Sequence, residues 1–461
     1  MSLSGDEKHA LEVASREAIA FRQSLGARRV TPAHRPADIG GQFNIPLPEA
    51  GAPADAVISE LARDAADGLH GHGSPRFFGY VLGGSMPVGI AADALVSAWG
   101  QNSASTWESP SVTAIERAVC HWCVDLMNLP RDAGVGIVTG ATVANTQGIM
   151  AGRKFLLRQA GWDVEADGLF GAPSFPVLVG ADAHSSPLGG LRYAGLGQNR
   201  ATTVETDDQG RIRVDRFAES LDRCDAPPLV VLQAGQINTG AFDPFAELIP
   251  MVHARGGWVH VDGAFGLWLN AAPALRHRLA GVETADSWAV DLHKMLNAPF
   301  DAALCIVRDR ATLVASMTAR GAYLPSAGEL WEPADSTMEL SRRARGVPSY
   351  AILKHLGRSG VEAMMTRFCD LARRAADQLS QIPGIEVLNE VASNQVIFAC
   401  ESDELTEAVL AKVQERGHVY PSHGEWRDRK VIRISVTNYA TREPDIDLLV
   451  HEIGESMQGL T

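Results

Sequence analysis

Two short apolar segments that run into charged residues constrain the fold of this 461-residue chain more than any other feature. Residues 258–264 pass through Trp, Val and His to Asp262, and residues 289–294 pass through Ala and Val to Lys294. Each segment is typical of a short buried strand that ends in a charged residue. Because ligands of open α/β sheets bind at the carboxyl ends of the strands, we predict that an acid and an amine meet there.

The chain around these segments alternates strand-like and helical patterns. Buried strands separated by helices indicate a mostly parallel sheet, which we place in a large domain spanning residues 76–320. After residue 345, a long helix and further short strands predict a small C-terminal α+β domain over residues 345–461. The predicted strands are 136–138, 176–179, 229–233, 258–261, 288–290 and 303–307 in the large domain, and 385–388, 395–399 and 431–436 in the small one.

Residues 1–75 are predicted to form an N-terminal arm. Helix-like stretches at 11–25 and 54–69 flank a link at 31–53 that is rich in Pro and Gly, and we expect no regular element in this link. The arm has too little apolar surface to fold alone. We therefore expect it to pack on another subunit or on the main body.

Charge and hydropathy exclude several classes of partner. A formal net charge of −14 argues against a nucleic-acid surface, which needs a basic stripe. No apolar run approaches the roughly 18 residues that span a bilayer, and Asp6, Glu7 and Lys8 lie where a signal peptide would be apolar. We expect a cytoplasmic protein that binds a small molecule, with no nucleic-acid or membrane partner and no metal.

The six cysteines are too sparse for a disulfide scaffold, so we expect reduced thiols. Cys120 and Cys123 have the C-x-x-C spacing of redox and zinc sites, but they fall inside a predicted helix at 113–129. No second ligand pair accompanies them, which favours a packing role over a metal or redox site.

An acid and an amine at one sheet edge are what pyridoxal 5′-phosphate requires: a Lys for a Schiff base and a carboxylate against the ring nitrogen. Lys294 would lose hydration there and become a better nucleophile; alone, a surface Lys after a strand is the ordinary interpretation. Asp262 would keep the ring protonated, or would merely cap the turn that follows it. Ala264 is small enough to let a ring lie close to the strand end.

Two further segments are candidate parts of this site. Residues 139–145, with Gly140, Ala141 and Thr142, follow a predicted strand and begin a predicted helix, which is typical of a phosphate site and also of an ordinary helix cap. His184 follows the strand at 177–179. On local sequence alone, a hydrogen-bonded polar His is more frequent there than an imidazole that stacks on a ring.

Together these segments resemble the pyridoxal-phosphate-dependent group II amino acid decarboxylases over most of the chain. The resemblance implies the aspartate-aminotransferase-like fold type I, with a mainly parallel seven-stranded sheet, and a homodimer whose active sites lie at the subunit interface. It rests on the two strand segments and on residues 74–78, 109–116, 139–146, 182–185, 239–244, 340–345 and 433–438.

The resemblance also implies residue roles. Lys294 is the Schiff-base lysine, Asp262 lies on the ring nitrogen, and His184 stacks on one ring face with Ala264 on the other. Ala141, Thr142 and His293 are implied phosphate contacts, with Asp291 beside them. Residues 78–83 and 102–107 would line the substrate pocket, with Tyr80 and Trp107 as contacts.

Two departures from the family pattern affect the expected reaction. Ile237 stands where many members have Thr near the cofactor, and Asn238 is expected to supply that polar contact. Residues 329–336 lack the Tyr that usually protonates the carbanion, so Tyr323, a His or water would have to serve.

We expect decarboxylation of an L-amino acid to the amine and carbon dioxide. The alternatives are decarboxylation-dependent oxidative deamination, aldol-type carbon-carbon cleavage and transamination. The sequence does not identify the substrate, because it does not determine which of Arg76, Tyr80, Trp107, Arg320 and Trp331 face the pocket.

Overall fold

Seven strands form the central sheet of the computed structural model, which describes residues 3–34, 36–318 and 331–460. Their spatial order is β1-β7-β6-β5-β4-β2-β3. The strands are β1 (Gly134–Val138), β2 (Val177–Gly180), β3 (Thr202–Val204), β4 (Leu229–Gln233), β5 (Trp258–Asp262), β6 (Ser287–Asp291) and β7 (Ala303–Val307).

The sheet is mainly parallel, as predicted, with one reversal. Neighbouring strands from β3 to β6 pair in parallel, whereas β7 runs antiparallel to both β1 and β6. Strands buried on both faces need continuous apolar sequence, which is why six of the seven could be recognised. The edge strand β3 was missed because two of its three residues are exposed.

Fourteen helices of the described residues surround the two sheets of the chain. They are α1 (Gly5–Ser24), α2 (Pro36–Phe43), α3 (Ala54–Ala65), α4 (Pro87–Trp99), α5 (Pro110–Leu126), α6 (Ala141–Gln159), α7 (Val164–Asp167), α8 (Ser185–Tyr193), α9 (Val214–Asp222), α10 (Phe245–His253), α11 (Arg310–Met317), α12 (Gly346–Leu379), α13 (Asp403–Arg416) and α14 (Glu443–Gln458). None of the helices in this part of the chain combines the length and the hydropathy needed to cross a membrane.

Helix α6 lies unusually close to the central sheet because of two glycines. A Cβ atom added to Gly148 would lie 2.4 Å from Nδ1 of His260, and one added to Gly152 would lie 2.6 Å from the Trp258 ring. Both partners belong to β5. The glycines therefore let the helix backbone approach the same strand that carries Asp262.

The N-terminal arm buries little of itself. Val13 is the buried residue of α1, and α2 and α3 have none. The expectation that residues 31–53 form no regular element was wrong, since α2 lies within them. Pro36 begins this helix, where its fixed φ angle suits the first turn and its missing N–H costs nothing.

The C-terminal part consists of long helices and an antiparallel four-stranded sheet, ordered β10-β11-β9-β8. The strands are β8 (Glu386–Val387), β9 (Gln395–Ala399), β10 (Ser422–Trp426) and β11 (Arg429–Ser435). Strand β10 was not predicted, because its Ser-His-Gly-Glu sequence is polar. Helix α12 is interrupted at Gly357, whose φ of 62° is left-handed. The predicted domain boundaries remain a proposal.

Cys120 and Cys123 pack inside α5, in agreement with the packing interpretation. Both are buried in the main hydrophobic cluster, and burial raises the pKa of the Cys123 thiol to about 12. All six cysteines are free, and the described residues contain no cluster of His, Cys, Asp and Glu that could hold a metal.

A fully buried ion pair joins two distant segments that carry the family resemblance. Arg342 Nη1 lies 2.7 Å from Glu116 Oε1, and neither side chain is accessible to solvent. Arg342 also donates to the carbonyl oxygens of Ser103 and Ile137. The pair therefore ties the chain before α12 to α5 and to β1 of the central sheet.

Replacing Arg342 with Ala should lower the free energy of unfolding by about 3–5 kcal/mol, because it leaves the Glu116 carboxylate buried without its cation. Chemical denaturation followed by circular dichroism measures the change. The neighbouring Arg343 pairs with Asp93 at the surface, so Arg343→Ala should cost about 1 kcal/mol or less. Equal losses in the two variants would contradict this interpretation.

Candidate active site

The two strands that drew attention in the sequence both end in an aspartate. Strand β5 ends at Asp262 and β6 ends at Asp291, and both side chains are almost fully buried, at 5% and 2% exposure. Lys294 lies three residues beyond β6, in the turn that follows. The expectation that the second strand ends in the lysine was therefore wrong, because the strand pairing stops at Asp291.

Asp291 connects the lysine to the start of α6. Its Oδ2 atom lies 2.9 Å from Lys294 Nζ, and its Oδ1 atom accepts the backbone N–H of Ala141 at 2.7 Å. His293 Nε2 lies 3.6 Å from the same oxygen. The carboxylate thereby holds the amine close to the first turn of α6.

Asp262 is held by neutral donors. Its Oδ1 atom accepts the backbone N–H of Ala264 at 3.2 Å, so it does cap its own turn. Its Oδ2 atom accepts the hydroxyl of Ser186 at 3.4 Å. Within the described residues no Lys or Arg forms an ion pair with it, which leaves a buried carboxylate that suits a positively charged ligand group.

His184 lies where the charged groups of the site converge. Burial lowers its pKa, the carboxylates of Asp262 and Asp291 act in the opposite direction, and Lys294 and Arg433 lower the pKa further. The residue also caps α8, with Nδ1 accepting the backbone N–H of Ser186 at 3.1 Å. Its backbone N–H donates to Gln233 Oε1 at 3.0 Å, which anchors it to the end of β4.

The N-terminus of α6 is open for an anion. Its cap residue, Gly140, provides no side-chain hydrogen bond, and the nearest atoms to a Cβ placed there would be 3.8 Å away, on His293. Helix N-termini of this kind bind phosphate groups. Burial lowers the pKa of His293, and the ring packs against Phe300 with centroids 4.3 Å apart.

A cavity of about 520 Å³ lies between residues 237–238 and the C-terminal elements β10, β11 and α13, and it is not lined by Lys294, Asp262, Asp291 or His184. It includes two residues that the sequence singled out, Tyr80 and Asn238. It also includes Ile237, His423 and Arg433. Tyr80 is half exposed, and its hydroxyl lies 3.3 Å from that of Tyr420.

Trp107 and Arg76 lie outside this cavity. Trp107 is 63% exposed. The Arg76 guanidinium instead donates to backbone oxygens of Arg28 and His418. Arg320 and Tyr323 fall outside the described residues.

Sequence reasoning gave no role to several polar residues of the cavity, among them His423 and Arg433. His423 is exposed on β10 at the cavity. Arg433 marked the start of a resembling segment but was given no role. Its signal was an arginine inside an apolar strand, where a cation is costly unless it has a partner.

Asn238, the predicted polar contact near the cofactor, lies in the cavity wall and bonds to the protein. Its Oδ1 accepts from Arg433 Nη1 at 3.3 Å, and its Nδ2 donates to the carbonyl of Glu425 at 3.2 Å. The residue thus links the large domain to the β10–β11 hairpin and positions the guanidinium.

Comparison with known proteins assigns the chain to a family. The model of the pyridoxal-dependent decarboxylase conserved domain matches residues 36–401. The chain belongs to this family. Its structure superimposes on that of *Oryza sativa* TDC with PLP and tryptamine at a TM-score of 0.92, with 22% sequence identity, covering 100% of this chain and 99% of the other.

Curated relatives of this family member include decarboxylases of different amino acids. The aromatic-L-amino-acid decarboxylase of *Bos taurus* is 26% identical over 94% of this chain and 92% of its own length. The L-2,4-diaminobutyrate decarboxylase of *Rhizobium meliloti* is 27% identical over 80% of this chain and 74% of its own length.

The predictions of an amino acid decarboxylase, of pyridoxal 5′-phosphate as its cofactor and of fold type I are thereby confirmed.

Proposed function

We propose that this family member decarboxylates an L-amino acid to its amine, with Lys294 as the Schiff-base lysine and Asp262 as the partner of the ring nitrogen. The observation that carries the proposal is the convergence of Asp262, Asp291 and Lys294 around His184 at one edge of the sheet. When bound, the cofactor takes up the electrons that the departing carboxylate leaves behind.

The residues at this edge fit such a group. Asp262 offers a buried negative charge to a protonated ring nitrogen. The first turn of α6, with Ala141 and Thr142, offers the positive end of a helix to the phosphate. His184 on one side and Ala264 on the other are proposed to enclose the ring. The N–H of Ala141 already donates to Asp291, so Thr142 and His293 are the better phosphate ligands.

Lys294 has two tasks in this scheme. Its ion pair with Asp291 holds the amine at the sheet edge. As the Schiff-base lysine it would hold the cofactor, and the contact with Asp291 would keep the amine oriented nearby when the substrate takes its place. Asn238 is proposed to act on the cofactor side of the cavity through its contact with Arg433. The predicted donor Tyr323 lies outside the described residues.

Substituting Lys294 with Ala should remove the visible absorbance of the covalently bound cofactor, because no other amine replaces it. Asp262→Ala should keep that absorbance and lower turnover by ~10² or more, since it removes charge stabilisation aimed at developing charge. Spectra and initial rates of the purified holoenzymes measure both effects. An unchanged turnover number in Asp262→Ala would refute the role of this carboxylate.

The rates should be measured on a panel of L-amino acids with carbon dioxide and amine as products. Ammonia and hydrogen peroxide are followed in the same reactions. Carbon dioxide with a stoichiometric amine supports simple decarboxylation. Peroxide and ammonia in its place would instead identify oxidative deamination as the reaction.

We further propose that Arg433 binds a carboxylate of the substrate. The guanidinium is largely buried, its Nε atom has no hydrogen-bond partner, and within the described residues it forms no ion pair with an acid. Its one side-chain contact is the neutral Asn238. A buried cation with donors to spare next to His184 suits an anion delivered by the substrate.

Arg433→Met should raise KM by about 10- to 100-fold, because a charge-assisted hydrogen bond to the substrate is lost. Cofactor absorbance should be retained. Arg429 belongs to the same strand but pairs with Glu386 at the surface, so Arg429→Met serves as the matched control and should leave KM unchanged. If both variants behave like the wild type, Arg433 does not bind substrate.

We also propose that the protein acts as a homodimer. Helices α1, α2 and α3 contribute a single buried residue, and the nearby Leu47 is 92% exposed. Apolar surface of this extent on three successive helices favours association. An active site completed by a second subunit would also give exposed Trp107 a role in the pocket.

We propose a cytoplasmic location as well, because the six free cysteines agree with a reducing compartment.

Light scattering at micromolar concentration should give a mass near twice the 49.3 kDa of the chain. Leu47→Glu should shift the protein toward the monomer, because it places a charge in the proposed interface. Phe170 is 99% exposed but lies outside the arm, so Phe170→Glu is the control. A monomeric wild type would refute the dimer.

A further inference from the structure

A buried chain of polar side chains leads from the core of the large domain to Asp262. The Ser186 hydroxyl donates to Asp262 Oδ2, and Asn145 Nδ2 donates to Ser186 Oγ at 2.9 Å. Asn145 Oδ1 lies 2.9 Å from Nε2 of His260. His260 and Asn145 are fully buried, and neither touches the cavity.

The series of hydrogen bonds continues beyond His260 to Ser287 on the neighbouring strand. The Nδ1 atom of His260 lies 2.8 Å from the hydroxyl of Ser287, at the start of β6. That hydroxyl accepts the indole N–H of Trp258 at 3.0 Å. Five hydrogen bonds thus join β5, β6, α6 and α8.

The direction of these bonds follows from the Asp262 end, where an ionised carboxylate can only accept and the Ser186 hydroxyl therefore donates. The indole of Trp258 can only donate, so the hydroxyl proton of Ser287 is free to be given to His260 Nδ1. Nε2 of the neutral ring then carries the proton and donates to the amide oxygen of Asn145. The amide nitrogen is left to donate to Ser186, whose own proton points to Asp262.

The opposite arrangement is excluded at the Asp262 end. If the Asn145 amide were turned over, its oxygen would accept the Ser186 proton, and the hydroxyl would face Asp262 with lone pairs only.

Burial lowers the pKa of His260 to about 3, so the ring remains neutral and has one donor and one acceptor at all working pH values.

The sequence leaves room between β5 and α6 for these hydrogen-bonded side chains. Residues 258, 260 and 262 alternate along β5 and so point to the same face of the sheet. Helix α6 covers that face, and Gly148 leaves room for the imidazole, since a Cβ there would lie 2.4 Å from Nδ1. One helical face therefore supplies both Asn145 and the gap for His260.

We propose that His260 is a positioning residue: through Asn145 and Ser186 it orients the carboxylate of Asp262 for the ring nitrogen of the cofactor. None of the side chains from Trp258 to Ser186 in this hydrogen-bonded series carries a charge, so the series adds no competing ion to the site. It instead gives Asp262 a fixed donor on Oδ2 while Ala264 holds Oδ1. The inference rests on the proposed role of Asp262.

Two substitutions of His260 test the contributions of its two ring nitrogens, Nδ1 and Nε2, separately. The side-chain nitrogen of Gln lies near the place of Nε2, so His260→Gln keeps the donor to Asn145. His260→Asn reaches only the place of Nδ1 and loses that donor. We expect His260→Asn to lower turnover and cofactor affinity by about tenfold each, and His260→Gln to restore most of both.

The decisive readout is the binding of two cofactors to the full-length apoprotein, measured by equilibrium dialysis. One is pyridoxal 5′-phosphate and the other is its 1-deaza analogue, in which carbon replaces the ring nitrogen. The wild type should prefer the natural cofactor. His260→Asn should lose about tenfold of this preference, whereas a packing defect would weaken the binding of both compounds equally.

Val259→Ala provides a matched control for stability. Val259 is fully buried on the same strand, but it belongs to the cluster on the other face of the sheet. The control should lower the melting temperature and keep the preference for the ring nitrogen. Equal loss of preference in Val259→Ala and His260→Asn would overturn the proposal.

Ser186→Ala tests the same chain at its other end if the His260 variants do not fold. It removes one hydroxyl from a half-buried site and should reproduce the loss of preference. Asp262→Asn is measured in parallel. If Asp262→Asn retains the preference, the role of Asp262 itself is wrong; if it loses the preference while Ser186→Ala and His260→Asn retain it, only the positioning role fails.

Discussion

The arrangement of the site depends on the contacts that the buried carboxylate of Asp291 makes. This residue ends β6, pairs with the amine of Lys294 and accepts the first N–H of α6. A strand, a turn and a helix are thereby fixed to one pair of oxygens that is almost fully buried. Because a buried carboxylate is costly without partners, these three elements have little freedom to shift independently.

The neighbouring strand end serves a different purpose. Asp262 is held by a hydroxyl and a backbone N–H, so its charge is not neutralised within the described residues. Two aspartates on adjacent strands thus have distinct environments, one paired with the protein's own cation and one available to a ligand. Differences of environment between like groups are a common way in which proteins assign them separate chemical roles.

The sequence was sufficient to predict the strands whose residues are all buried. Strands β4, β7 and β9 were predicted with the bounds that the structure has, because each is an uninterrupted apolar run. Polar β10 and the three-residue β3 lacked that signal. Lys294, Asp262 and His184 lie at or just beyond strand ends, so the sequence could indicate their positions, and their roles stay predictions. The pairing of Lys294 with Asp291 depends on where β6 ends.

Residues that act through tertiary contacts could not be predicted. Asn145, Ser186, His260 and Ser287 are far apart in sequence, and each alone is an ordinary polar residue. Arg433 lies on β11 of the C-terminal sheet and His184 follows β2 of the central sheet, so their proximity requires tertiary packing. Period-2 alternation did place His260 on the same face as Asp262, which was the one available indication.

Gly148 and Gly152 make α6 dependent on the strand that it covers. Each glycine inside a helix costs roughly 0.5–1 kcal/mol relative to alanine, so α6 relies on its packing against β5 for part of its stability. Its first turn presents Ala141 and Thr142. A change that loosens the helix from β5 should therefore disturb the proposed phosphate site as well as the sheet.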